Sequence, residues 1–182
     1  MGKFLVGVII GIVIIPVVVY FYFSTGTAPV AVSAPPMPFE KMLAHMAQHA
    51  RLDKEVPKTV PIQADERTYS AGAQIYKENC AVCHGLSAGA QTPIALGMFP
   101  APPKLLQGKG VTDDPAGETY WKVSGGIRMT GMPGFEKTLS TNERWQVSLL
   151  LANADKLPAT VKDSLLTVAP PPAAPSAPGK KL

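Results

Sequence analysis

The 182-residue chain reads as an all-α protein, and three observations predict it. An uncharged apolar run long enough to form one membrane helix lies near the N-terminus. Three later segments place apolar residues at helical spacing between recognisable capping residues, and no stretch of five or more residues alternates as a strand does. The expected architecture is one small helical domain, a transmembrane helix before it, and a disordered Pro/Ala-rich tail behind it. A core of about 100 residues is a common size, so two equal domains are not expected.

Composition removes several function classes. The net charge is +4, and between Asp65 and Lys156 nine basic residues balance nine acidic ones, so the central region is neutral. No basic run is present, and no nucleic-acid partner is expected. Two cysteines cannot make a disulfide framework.

Residues 1–23 form the first element. From Phe4 to Phe23 there is no charge, and these twenty positions at about 1.5 Å each span the roughly 30 Å hydrocarbon core of a bilayer. Membrane lipid is therefore the expected partner of residues 4–23. A cleaved signal peptide has a shorter apolar run, and the nearest small-residue cleavage positions, Ala28 and Ala34, are each followed by proline. A retained, single-pass anchor is expected. Lys3 places the N-terminus inside and the remainder outside, with Tyr20, Phe21 and Tyr22 at the outer interface. Gly7 and Gly11 would allow close approach of a second helix, and Pro16 would kink the span. Residues 24–38, with Pro29, Pro35, Pro36 and Pro38, read as an extended tether.

Residues 39–64 read as an upstream helix and connector. If Phe39 to Leu52 is helical, Met42, His45, Met46 and His49 share one stripe at i, i+3, i+4 and i+7. Packing against the following domain or a partner is the expected role. Copper binding suits the imidazole and thioether donors, and a third reading makes His45 or His49 a ligand to the iron of a cofactor bound further along the chain.

Residues 65–157 carry the core. Tyr69, Gly72, Ala73, Tyr76 and Cys80 recur at helical spacing behind Asp65, with a notch at Gly72. Asp114 as N-cap before Pro115 opens a second helix that stops at Gly125-Gly126. Ser140 and Glu143 form a capping box for a third, with Trp145, Leu149 and Ala152 on one face. From Pro158 the chain thins out, and residues 158–182 read as an extension that is disordered at its end.

Both cysteines fall in Cys80-Ala81-Val82-Cys83-His84, the C-x-x-C-H pattern of covalent haem attachment. Two thiols three residues apart at a helix end can each add to one vinyl group of the same porphyrin, and His84 then lies beneath the iron. A thioredoxin-type dithiol needs strands, which are not expected here. A structural zinc site would need four ligands, completed by His45 and His49 from more than thirty residues upstream. A plain disulfide leaves His84 unexplained.

From about Asp65 to Lys156 the chain resembles the class I monohaem cytochromes c. That resemblance implies a first and a last helix crossing at a glycine and an aromatic contact, to which Gly72, Tyr76, Trp145 and Leu149 correspond. It implies that the proline of Pro103-Lys104-Leu105 accepts the second N–H of the haem histidine through its carbonyl. It also implies a methionine sixth ligand, for which Met132 in Gly131-Met132-Pro133-Gly134 is the candidate, with Met129 and Met98 as alternatives.

The function expected from this resemblance is electron transfer by one covalently bound haem c. The iron would be held by His84 and Met132, and Cys80, Cys83 and Pro103 would complete the cofactor site. The domain would face the periplasm from a bacterial inner membrane and pass single electrons between a protein donor and acceptor of a respiratory or photosynthetic chain. A six-coordinate iron has no open position, which argues against an enzyme. The alternative is a fixed subunit of a larger membrane oxidase or quinol- or substrate-oxidising complex. A haem sensor or peroxidase would need a displaceable sixth ligand.

Overall fold

The computed structural model describes residues 2–86, 91–107 and 112–166, and among these every regular element is helical. The chain divides into two compact units, residues 1–50 and 51–182.

The first unit holds α1 (Gly2–Ser24) and the opening turns of α2 (Glu40–Glu55). α1 has 23 residues, about 34 Å at 1.5 Å each, and an 18-residue window of mean hydropathy 3.0, long and apolar enough to cross a membrane. Thr25 closes it, donating to the Phe21 carbonyl through both its backbone N–H, at 3.0 Å, and its hydroxyl, at 2.7 Å. The segment that follows is less extended than its prolines suggest. Gly26 adopts φ 76°, and Ala34 N–H donates to Ala31 O at 3.0 Å, so two turns interrupt it. Glu40 starts α2 by accepting from Met37 N–H at 2.8 Å.

The second unit begins inside α2. Leu52 is buried, and Trp121 Nε1–H donates to Glu55 Oε2 at 3.0 Å. A Cβ on Gly117 would strike the Pro57 carbonyl, so Val56 and Pro57 lie directly on the helix containing Trp121. The remaining helices are α3 (Glu66–Asn79), α4 (Ala81–His84), α5 (Pro93–Leu96), α6 (Ala116–Gly125), α7 (Thr141–Ala152) and α8 (Ala159–Ser164).

α3 and α7 form the central crossing. Asp65 caps α3 by accepting from Thr68 N–H at 2.8 Å, and Ser140 and Glu143 form the full capping box of α7. A Cβ on Gly72 would collide with the Gln146 backbone and reach Leu150 Cβ at 3.1 Å, so the missing side chain is what lets the helices touch. The crossing partners differ from those expected. Gly72 meets Gln146 and Leu150, whereas Trp145 turns to α6 and stacks on Tyr120 at 4.1 Å with 13° between the planes. Neighbouring helix positions point about 100° apart, so a shift of one residue in the contact moves the tryptophan to another neighbour.

Two other boundaries move. α6 starts one residue later than expected, with Pro115 as N-cap, and Asp114 instead pairs with Lys122 at 2.5 Å. Glu118 also reaches Lys122, at 2.8 Å. Burial alone would lower the Lys122 pKa, but the bonds it donates to Asp114 and Glu118 outweigh that and hold it raised. Beyond Pro158 the chain is not thin throughout. α8 inserts Val161 and Leu165 into the cluster of Ala73, Tyr76, Val147 and Leu150, and Thr160 Oγ1 donates to Glu66 Oε1 at 2.6 Å. The expected disorder of the tail beyond Leu166 lies outside the described residues.

Candidate functional site

The site grows from the C-terminal end of α3. Cys80 closes that helix, its N–H donating to Tyr76 O at 2.8 Å, and its own carbonyl accepts from Cys83 N–H at 3.1 Å and His84 N–H at 2.9 Å. The motif is thus a single helical turn. Positions three apart in such a turn lie on one face, so both cysteines are presented together, half-buried and free. Burial, followed by the nearby Cys83, pushes the Cys80 thiol up to about 12.

Gly85 then turns the chain at φ 75°. Its carbonyl accepts from Tyr76 Oη at 2.7 Å, and Tyr76 is completely buried. This bond ties the peptide after His84 back to the middle of α3. The histidine itself is held from the other side. His84 Nδ1 lies 2.7 Å from the Pro103 carbonyl oxygen, which has no hydrogen to give, so Nδ1 carries the proton and Nε2 is the ring's lone-pair nitrogen. Burial lowers the His84 pKa, with the Pro103 bond acting in the opposite direction.

Met132 lies in a loop fastened to the end of α6. Ile127 N–H donates to Met132 O at 3.2 Å, and Phe135 N–H donates to Val123 O at 2.9 Å. Thr130 Oγ1 accepts from Met132 N–H at 3.1 Å. The two backbones touch because neither carries a side chain at the contact. A Cβ on Gly126 would meet Gly134 N at 2.6 Å and Met132 O at 2.8 Å, and one on Gly134 would meet Ser124 O at 2.8 Å. Gly126 also holds φ 68°, a second reason for glycine there. Met132 is half-buried against the same apolar cluster as Cys80, Leu105 and Phe135. Met129 is 87% exposed at a positive φ, and the Met98 methyl lies against Gly131.

Reading the sequence missed the bracing under this loop. Arg144 is buried, donates to Ser124 Oγ at 2.7 Å and sits 5.1 Å from the Tyr120 ring centroid. The Ser124 carbonyl accepts from Glu136 N–H at 3.2 Å, so α7 supports the anchor of the Met132 loop through Ser124. An arginine among apolar α7 positions was the available signal.

The donor set fits a covalently attached haem. Two thiols and an imidazole with one nitrogen engaged share a turn, and a thioether sits in a backbone-locked loop. Half-buried Leu86, Leu105, Leu106 and Phe135 edge the core where an apolar ring would complete it. Among the described residues no three or more His, Cys, Asp or Glu side chains group as a metal site, which leaves the zinc reading without a ligand set.

Residues 67–149 match the family model described as Cytochrome C oxidase, cbb3-type, subunit III. The matched stretch is less than half of the chain and contains the Cys80-to-His84 turn. The all-helical fold is consistent with a cytochrome c-like helical domain. Among solved structures, the chain is similar to a chain of the Kuenenia stuttgartiensis reducing HAO-like protein complex Kustc0457/Kustc0458, at 30% identity and a TM-score of 0.47. That similarity covers 54% of this chain and 49% of that one, about half its length. No curated protein matches.

Proposed function

We propose that the protein is a membrane-anchored monohaem cytochrome c that passes single electrons between protein partners on the periplasmic side of a bacterial inner membrane. The observation that carries this reading is the 2.7 Å approach of His84 Nδ1 to the Pro103 carbonyl beside two free thiols. It leaves Nε2 as the nitrogen that would hold the haem iron and fixes the ring's tautomer and direction. Cys80 and Cys83 would hold the porphyrin, each thiol adding across one of its vinyl groups. Met132 is the sixth ligand, favoured over the exposed Met129 by its half-buried position in the glycine-locked loop.

Haem, when bound, supplies one-electron exchange at its iron. The chain's own residues decide the rest: His84 and Met132 would hold the iron, and a thioether ligand favours the reduced state relative to a second imidazole. α1 anchors the domain to lipid through residues 4–23, and Lys3 keeps the N-terminus in the cytoplasm. The second reading, a fixed subunit of a larger membrane complex, is favoured by the description of the matched family as an oxidase subunit.

The test is spectroscopic. The pigment should stay with the polypeptide after acid-acetone extraction, and the double change of Cys80 and Cys83 to Ala should release it. Met132→Ala should abolish the sulfur-to-iron charge-transfer band and open the reduced iron to carbon monoxide, whereas His45→Ala and His49→Ala should leave the band intact. Freely extracted haem in the unaltered protein, or a band that survives loss of Met132, would refute the respective assignment. A carrier should leave membranes alone in mild detergent, and a subunit should leave with stoichiometric partners.

A further inference from the structure

The upstream stripe has a use that haem binding does not absorb. His45 and His49 stand one helical turn apart on α2, with ring centroids 6.3 Å apart and only 24° between the planes. Four residues of helix rise about 6 Å, so the two imidazoles project side by side rather than diverging. Met42 and Met46 lie on the same face, 56% and 60% exposed, and both histidines are exposed as well. These four side chains do not form interior packing. Two imidazoles and two thioethers on one exposed face remain available as ligands.

We propose that His45 and His49, with Met42 and Met46 beside them, form a surface copper site. The donor types choose the metal. Among first-row divalent ions, copper binds nitrogen ligands most tightly, which places Cu(II) on the imidazole pair, and thioethers select Cu(I). A carboxylate-preferring cation such as magnesium or calcium finds no oxygen ligand in this set. The site holds one ion in either oxidation state, with the imidazoles common to both and the thioethers contributing chiefly to Cu(I).

The experiment uses the full-length, haem-loaded protein in detergent, titrated with Cu(II) and, under reducing anaerobic conditions, with Cu(I), each against a competing chelator. One copper per chain is expected, with zinc binding more weakly than Cu(II). Loss of groups that merely orient a ligand costs about tenfold or more in affinity, so His45→Ala or His49→Ala should each weaken Cu(II) by at least about that factor. The double histidine variant should bind no stoichiometric copper. Met42→Leu with Met46→Leu should weaken Cu(I) by about tenfold and change Cu(II) much less. The haem spectrum of each variant reports whether the cytochrome domain is intact, and helical circular dichroism reports on α2, so loss of the site is distinguished from unfolding. Absence of stoichiometric copper in the unaltered protein, or copper retained at full affinity by the folded double histidine variant, overturns the proposal. Cu(I) affinity unchanged in the double methionine variant overturns the thioethers' part in it.

Discussion

Tyr76 Oη donates to the carbonyl oxygen of Gly85 across 2.7 Å, with both residues buried. The bond joins the middle of the first core helix to the peptide that leaves His84, so the orientation of the candidate ligand turn is coupled to the packing of α3. Tyr76→Phe keeps the ring and removes the donor. A buried carbonyl left without its partner costs about 1–3 kcal/mol, and denaturant unfolding of the haem-loaded protein should show a loss of that size with covalent attachment retained.

Gly72→Val tests the helix crossing. The added side chain meets the Gln146 backbone, which cannot rotate away as a side-chain tip does. Overpacking of this kind costs about 1–3 kcal/mol or more. Thermal unfolding should fall by several degrees, with a smaller loss for Gly72→Ala, and an unchanged melting temperature for both variants would contradict the contact.

Gly126→Ala tests the loop that carries Met132. The new methyl needs room now filled by Gly134 N and Met132 O, and the backbone there has a positive φ. The expected result is a weakened sulfur-to-iron band and faster carbon monoxide binding to the reduced protein, with both cysteine attachments preserved. Met129→Leu, at an exposed position, should alter neither readout.

Acid should loosen the two core-helix caps. Asp65 is held below its ordinary 3.8, chiefly by the Thr68 backbone N–H, and Glu143 below its ordinary 4.5 by hydrogen bonds from Ser140. A carboxyl with a lowered folded pKa is protonated more readily in the unfolded chain. Its contribution is fully present above the ordinary value and is lost as pH falls through the lowered one. Asp65→Asn keeps an acceptor at the cap while removing the titration, so its stability should fall less steeply below about pH 4 than that of the unaltered protein. Unfolding midpoints measured between pH 6 and 3 check the slope.

Local chemistry made much of this protein legible as sequence. The caps Asp65, Ser140 and Glu143 act within three residues of their partners, and the apolar run of α1 declares a membrane-length helix whatever surrounds it. The Cys80 to His84 turn is equally local, because three intervening peptides fix which side chains share a face. Contacts across long stretches of chain were decided elsewhere. That Trp145 stacks on Tyr120, that Glu55 pairs with Trp121 of α6, and that Val161 and Leu165 complete the core all depend on how separate helices rotate against one another. Periodicity names an apolar face but not its neighbour, and a one-residue change in helix rotation exchanges one neighbour for another. The backbone contact between Gly126 and Gly134 shows the same division: sequence marks both as permissive, and only the tertiary structure brings them together, since the space each glycine vacates has meaning when another chain segment fills it.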